Sequence, residues 1–396
     1  MGTKPKKPRP VPGVRPAPDA SGSRSLRAGY AVDAGPALDV SRVHKLFGRP
    51  HPVQFRAQGA LAAWTQAFSG TGFWNDWQDP GTCCWAIREK VLEQLVQITE
   101  PHLTSAEEAV GVMKDIQILA TDIALNLRYF LHNGTVIEST PALETLLANS
   151  DVDLSVPMSS VAPPYPALYL RFGDAAMRHL TPPPFTDVAS GVFDGVYCFL
   201  TRHREHLTAM ASCWTLEFVF ISKSGDHCNG NVSLLGDTDR GDTTVGEWLD
   251  GILGTCGDPD VEQLCQSMHA AMSYVVKVFL YMTLRQARVV DRPDHDVAVR
   301  RAAGLGERKR VKLLRGAASR YNSILVGPAS MPASGAPGLP GGPVAPHWRR
   351  GHFRMQPCGA GSRQRRLIFV APVLIHAAQL KGEVLAPKTY RAGVAA

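Results

Sequence analysis

The residues best suited to chemistry lie between His347 and Arg354, in the stretch His-Trp-Arg-Arg-Gly-His-Phe-Arg. Two histidines, three arginines and two aromatic residues share these eight positions. Guanidinium groups make paired hydrogen bonds to phosphates or carboxylates, and aromatic rings stack on bases or cover apolar side chains. The stretch therefore predicts a binding surface, suited equally to RNA and to an acidic or mixed peptide. The alternative is a structural sheet edge whose arginines only keep it soluble.

The residues that follow predict a β-hairpin. Gly359 and Gly361 indicate a loop, and an apolar run follows it over 367–375; no acidic residue occurs between His347 and His376. Two extended segments joined by a glycine-containing loop are typical of a hairpin, and we expect its exposed positions to carry cations and aromatics. The candidate binding residues are His347, Arg349, Arg350, Gly351, His352, Phe353, Arg354, Gly359, Gly361, Arg365 and Arg366.

Catalytic and metal-binding chemistry is not expected from this stretch. His347 and His352 are five positions apart, so in an extended segment they point to opposite faces. A partner from elsewhere in the chain would be needed for acid–base catalysis, which leaves ribonuclease activity open as an alternative. The spacing of the histidines and Cys358 matches no zinc pattern, and the chain has no phosphate-binding glycine loop, GxSxG or HExxH motif. We expect no cofactor, no metal and no enzymatic activity.

Composition favours an anionic partner and a cytoplasmic location. The chain has 396 residues, 44% hydrophobic content and a net charge of +7, which allow one large or two ordinary domains and favour nucleic acid or acidic surfaces. Its eight cysteines are scattered without a CxxC pair, as in reduced cytoplasmic proteins. The apolar runs are too short or interrupted to span a bilayer, so we expect no membrane contact.

Hydrophobic periodicity predicts an α+β fold. Helical spacing occurs over 85–96, 104–131 and 261–287, and strand-like runs occur over 167–172, 191–200 and 211–221. The short connections between the strand-like runs favour an antiparallel meander. We expect a helical N-terminal layer, this meander backed by the long helix, and the C-terminal basic hairpin.

Composition also predicts the domain organisation. Residues 1–57 form a basic, proline-rich arm that we expect to be disordered, and 58–290 form the α+β core. Residues 291–345 are basic and then rich in glycine and proline, which predicts a linker. The hairpin module occupies 346–378, and a tail occupies 379–396.

The hairpin sequence resembles the second group of type V-A anti-CRISPR proteins, which phages and plasmids encode. The matching elements are Pro346-His347, the Arg349–Phe353 core, the Gly359/Gly361 loop and the basic strand from Arg365 to Pro372 and Val373. Weaker similarity extends over 163–252 and 261–287. The resemblance implies a non-enzymatic inhibitor that recognises the nascent N-terminal segment of a type V-A effector nuclease and lowers its message and protein. The effector's mRNA or the translating ribosome are further candidate partners, and a phage or plasmid RNA-binding protein without a CRISPR role is the alternative.

Overall fold

The computed structural model describes residues 52–375 except 58, 74–83, 100–105, 154, 162, 174–192, 204–212, 223–243, 254–258, 318–319 and 332–346. Within these residues the fold is mixed α/β. Most of the arm predicted over 1–57 and all of the tail predicted over 379–396 lie outside the described residues. None of the helices in the described part of the chain is both long and apolar enough to cross a membrane.

The helices follow the apolar spacing of the sequence. They are α1 (Pro52–Ala57), α2 (Ala60–Ala67), α3 (Cys84–Thr99), α4 (Ala106–Leu131), α5 (Pro141–Ala148), α6 (Val245–Leu253), α7 (Pro259–Thr283), α8 (Asp294–Ala303) and α9 (Glu307–Ala317). Helices α3, α4 and α7 confirm the three predicted helices. Ile87, Val91 and Leu95 lie at helical spacing in α3, and all three are fully buried.

The central sheet is mixed rather than purely antiparallel. The strands are β1 (Thr135–Ser139), β2 (Ser150–Val152), β3 (Ala167–Arg171), β4 (Phe193–His203), β5 (Cys213–Ser222), β6 (Val289–Arg292), β7 (Ser323–Val326), β8 (His347–Arg349), β9 (Gly351–Cys358), β10 (Gln364–Val370) and β11 (Val373–Ile375). The six-stranded sheet has the order β5-β4-β3-β1-β7-β6. Antiparallel pairing of β3 with β4 and of β4 with β5 confirms the predicted meander. Strand β1 adds parallel pairs with β3 and β7, which the sequence did not predict.

The prediction of a linker over 291–345 is wrong for the first half of that range. Strand β6 begins at Val289, helices α8 and α9 follow it, and β7 returns to pair with β1. The basic residues of α8 and α9 whose side chains are described are exposed, whereas Ala298, Ala302 and Ala317 are buried. The basic residues therefore belong to the exposed faces of two helices and not to a flexible linker. The core extends past residue 290. The glycine- and proline-rich second half lies outside the described residues, apart from 327–331.

One hydrophobic core joins the sheet, helix α7 and the hairpin. From α7, Met272, Val275 and Phe279 are fully buried in the same cluster as Leu168 of β3. Phe353 of β9 belongs to this cluster with 0% exposure. The hairpin is therefore built into the core, and this contact positions the candidate site.

Candidate binding hairpin

The hairpin predicted from the sequence is present over 347–375. Strands β9 and β10 pair antiparallel from His352–Val370 to Cys358–Gln364, and β8 and β11 continue the ribbon from Arg349–Val373 to His347–Ile375. The connecting loop contains Gly359 and Gly361 with φ of 76° and 66°. Both values lie in the left-handed region that glycine adopts without strain. These two glycines therefore shape the turn.

The strand pairing of the ribbon is interrupted at Arg350 and Pro372, and we refer to this interruption as the bend. A Cβ atom on Gly351 would lie 2.5 Å from the Val370 carbonyl oxygen and 2.6 Å from the Pro372 ring. Glycine is required here because the backbone near Val370 and Pro372 approaches so closely. The φ angle of Gly351 is not in the left-handed region. Gly351 therefore shapes the hairpin from a buried position, and it presents no side chain to a partner.

Phe353 is a core residue rather than the exposed aromatic that the sequence predicted. Its side chain is 0% exposed and stacks on Phe369, its partner in β10, at 4.5 Å between ring centroids. Phe369 in turn meets Tyr281 of α7 edge to face at 6.2 Å. Strand alternation points Phe353 inward, and the neighbouring α7 covers it. The ring therefore holds the hairpin on the core and is not available to stack on a partner.

Strand β2, which follows helix α5 in the chain, joins the hairpin to the core. It pairs parallel with β9, with Asp151 opposite His352 and Val152 opposite Phe353. The Asp153 amide donates to the Phe353 carbonyl at 2.9 Å, and the Gly351 amide donates to the Asn149 carbonyl at 3.0 Å. The tethered module predicted over 346–378 is therefore part of the same body as the core over its described residues, 347–375.

The outer face of β9 carries His352 and Arg354, opposite Phe353. Beside them, the Arg350 guanidinium donates to both carboxylate oxygens of Asp151, at 2.8 and 2.6 Å. Hydrogen bonds from Ser155 lower the pKa of Asp153, and the nearby charges of His352 and Arg354 lower it further. The acidic residues of this face come from β2 and the residues directly after it. Because they are distant in the sequence, the hairpin sequence alone did not predict them. At this end the cations are therefore partly neutralised.

The loop end of the hairpin keeps its cations exposed. Arg365 and Arg366 are exposed, and neither forms an ion pair with another described residue. Arg349 is also exposed, but it lies on β8, at the end of the hairpin away from the loop. Free guanidinium forks at this end can bind carboxylates or phosphates of a partner. This end is the part of the hairpin best suited to binding.

The histidines do not meet to form a reactive pair. His347 lies on β8 and His352 on β9, on either side of the bend at Arg350. Cys358 is a free thiol at the far end of β9. Among the residues that the structure describes, no three His, Cys, Asp or Glu side chains cluster in a way that could hold a metal ion.

Lys277 is a residue of this region that sequence reasoning missed. Its ammonium nitrogen lies 3.4 Å from the Leu147 carbonyl oxygen, beside the β2–β9 junction. Burial lowers the pKa of Lys277 to about 8, with Asp151 opposing the shift and Arg350 adding to it. A lone lysine within an apolar helix was the available signal. Its ammonium belongs to the charge network under the hairpin.

A separate cavity of about 610 Å³ lies at the carboxyl ends of β1 and β3. Its charged lining residues are Glu138, Arg171, Asp194, Arg288 and Arg292. Glu138 lies 3.5 Å from the Arg171 guanidinium and 3.7 Å from that of Arg292. These charges therefore compensate one another in part. The parallel pairing of β1 assembles this cavity, so no local sequence pattern indicates it.

The hairpin and the sheet lie within the region that comparison with protein families identifies. The sequence model of the AcrVA2-like family, described as the anti-CRISPR type V subtype A2 family, matches residues 137–377. The chain belongs to the AcrVA2-like family. The match covers more than half of the chain, from β1 to just beyond β11, so it includes every candidate binding residue. It confirms the resemblance on which the sequence analysis relied.

Membership of the AcrVA2-like family supports an anti-CRISPR role and a target related to a type V-A CRISPR effector. The crystal structure of AcrVA2 aligns with 82% of this chain and 98% of its own, at 12% sequence identity and a TM-score of 0.42. A search of curated proteins found no match.

Proposed function

We propose that this chain inhibits a type V-A effector nuclease during its synthesis, by binding the effector's N-terminal segment as it emerges in translation. The effector's message and protein then fall. The effector mRNA or the translating ribosome are secondary partners in this scheme. The observation that carries the proposal is the exposed basic end of the hairpin, at Arg365 and Arg366, within the region matched by the family.

A nascent segment suits this surface for physical reasons. An emerging chain is still unfolded, so its main chain and side chains are accessible together. Arginine forks bind acidic side chains in such a segment, and a rigid strand positions those forks without further ordering cost. Contacts between β9 and the core supply that rigidity.

Co-expression with a type V-A effector tests the proposal. The effector is produced in two versions, one native and one whose N-terminal codons specify different amino acids, and its protein and mRNA are quantified. We expect both to fall for the native version alone. A fall that is equal for both versions would exclude recognition of the N-terminal segment.

Two matched double variants locate the site in the same experiment. Arg365→Ala/Arg366→Ala removes two exposed cations from the hairpin, and Arg308→Ala/Lys309→Ala removes two exposed cations from α9. This pair is preferable to a variant at Arg350, whose loss would also leave Asp151 without its ion-pair partner. We expect the hairpin variant to lose repression and the α9 variant to keep it. The reverse result would move the site away from the hairpin.

A second candidate function, RNA binding, is favoured by α8 and α9. Among the described side chains of these helices, the exposed cations are Arg300, Arg301, Arg308, Lys309, Arg310 and Lys312. In α9 the only acidic residue is Glu307, 3.7 Å from Arg310. If RNA binding dominates, affinity falls steeply with salt because phosphate contacts release counterions. The α9 double variant should then bind RNA more weakly. RNA that stays intact after incubation with the protein would distinguish binding from ribonuclease activity.

A further inference from the structure

Strand β10 lies at the edge of its sheet. The three-stranded sheet has the order β10-β9-β2, so β10 pairs with β9 on one side and with no other described strand. At seven residues, Gln364–Val370, it is one of the longer strands of the hairpin. An edge strand presents main-chain donors and acceptors that an extended peptide can use.

Hydrogen bonds to β2 determine which amides of β10 face outward. The backbone groups of Gly351 and Phe353 bond towards β2, through Asn149 and Asp153. Alternate residues of a strand bond to opposite sides, so the backbone groups of His352, Arg354 and Gln356 point towards β10. The same alternation of backbone groups applies to β10.

The register transfers the alternation to β10. His352 is opposite Val370, Arg354 is opposite Ile368, and Gln356 is opposite Arg366. Those three β10 residues use their amides in the ladder with β9. The amide and carbonyl groups of Arg365, Leu367 and Phe369 therefore point to the outer edge.

Side chains along this edge change from cationic to apolar. Arg365 and Arg366 are exposed near the loop, whereas Ile368 and Val370 are half-buried towards the bend. Leu367 and Phe369 pack against the core, which holds the strand in place. Cations protect the edge at one end only, so its apolar end remains open to pairing.

We propose that an extended segment of the target polypeptide binds as an additional strand along β10. Its main chain bonds to the outward groups of Arg365, Leu367 and Phe369. Apolar side chains of the segment lie beside Ile368 and Val370, and an acidic side chain lies beside Arg366 on the same face of β10. This inference rests on the proposed function and specifies how the nascent segment is held.

A backbone scan of the peptide tests strand addition on the unaltered protein. The probe is a synthetic peptide of about twenty residues, copied from the N-terminus of an effector that is repressed in co-expression, with each residue N-methylated in turn. Loss of one main-chain hydrogen bond weakens binding by about tenfold. We expect alternate positions to show this loss and the positions between them to show little, because only every second amide of the peptide faces β10.

A matched pair of protein variants tests the same edge. Arg365→Pro removes the cation and an outward N–H that the β9–β10 ladder does not use, whereas Arg365→Ala removes only the cation. Proline is tolerated on edge strands where its missing N–H faces solvent. We expect the proline variant to bind the peptide about tenfold more weakly than the alanine variant. Unfolding curves of the two variants establish whether the hairpin is intact.

The outcomes separate this mode of binding from the proposed function. A peptide that binds without alternation in the scan, and equally to both variants, overturns strand addition but leaves recognition of the N-terminal segment standing. A peptide that does not bind overturns strand addition. The proposed function is overturned only if co-expression fails to lower the effector's protein and mRNA. A concentration-dependent dimer that Arg365→Pro abolishes would assign the edge to a second copy of this chain, which also overturns the proposal.

Discussion

Neighbouring residues of β9 have opposite roles because the strand pleat alternates. His352 and Arg354 face outward beside Asp151 and Asp153, whereas Phe353 between them is fully buried. The sequence identified the binding-type residues by composition, and composition cannot assign a face. Phe353 could have been assigned by its period-two spacing with Met355, which also packs on the core. The cationic side chains are therefore the part of the candidate site that binding experiments should address.

Truncation of Phe353 should destabilise the protein. Phe353→Ala removes a ring that is 0% exposed and stacked on Phe369 at 4.5 Å. We expect the free energy of unfolding to fall by about 3 to 5 kcal/mol, measured by urea denaturation. Arg354→Ala, at the adjacent exposed position, should change it by less than about 0.5 kcal/mol. Equal stability of the two variants, with peptide binding lost only in Phe353→Ala, would show instead that this ring contacts the partner.

Lys277 should make stability depend on pH in a defined window. The pKa of Lys277 is about 8 in the native state, lowered by burial from 10.5. Between these values the unfolded chain binds more protons, so raising the pH stabilises the native chain. Relative to Lys277→Met, which cannot titrate, we expect the native chain to gain on the order of 1–2 kcal/mol from pH 8 to pH 10.5. The exposed Lys312→Met serves as the control, and an equal pH dependence for both variants would contradict the assignment.

At the scale of elements, short-range sequence patterns predicted individual helices and strands. Apolar spacing identified α3, α4 and α7, and strand-like runs identified β3, β4 and β5, because each pattern lies within one segment. Parallel pairing of β1 with β7 joins Ile137 to Ile324, which are far apart in the chain. No short-range pattern encodes such a pair. The same limit explains why α8 and α9 were assigned to a linker, since their buried alanines are few and their basic residues dominate the composition.

The bend of the hairpin should depend on Gly351 more than on the loop glycines. In Gly351→Ala the new Cβ would meet the Val370 carbonyl at 2.5 Å and the backbone nitrogen of Pro372 at 2.6 Å, so backbone atoms have to move. We expect a loss of about 1 to 3 kcal/mol in the free energy of unfolding. Gly361→Ala has no atom closer than 3.8 Å and carries only the cost of φ 66°, about 1 kcal/mol. Thermal denaturation of both variants tests this order, and a larger loss for Gly361→Ala would mean that the loop limits the hairpin.

For the whole molecule, the question is whether the hairpin opens alone or with the core. A tethered module would open at its own, smaller free energy, as a chain segment with few buried contacts does. Here β2 pairs with β9, and Phe353 shares the core of α7 and the central sheet. We therefore expect native-state hydrogen exchange to find one cooperative opening for the His352 and Arg354 amides of β9 and for the Ile137 amide of β1. In increasing denaturant, the three opening free energies should converge with one slope, because one unit exposes its surface together. Phe353→Ala should lower all three in parallel. Hairpin amides that exchange through a separate opening of lower free energy, with a smaller dependence on denaturant, would restore the tethered module and remove the rigid support that the proposed peptide site requires.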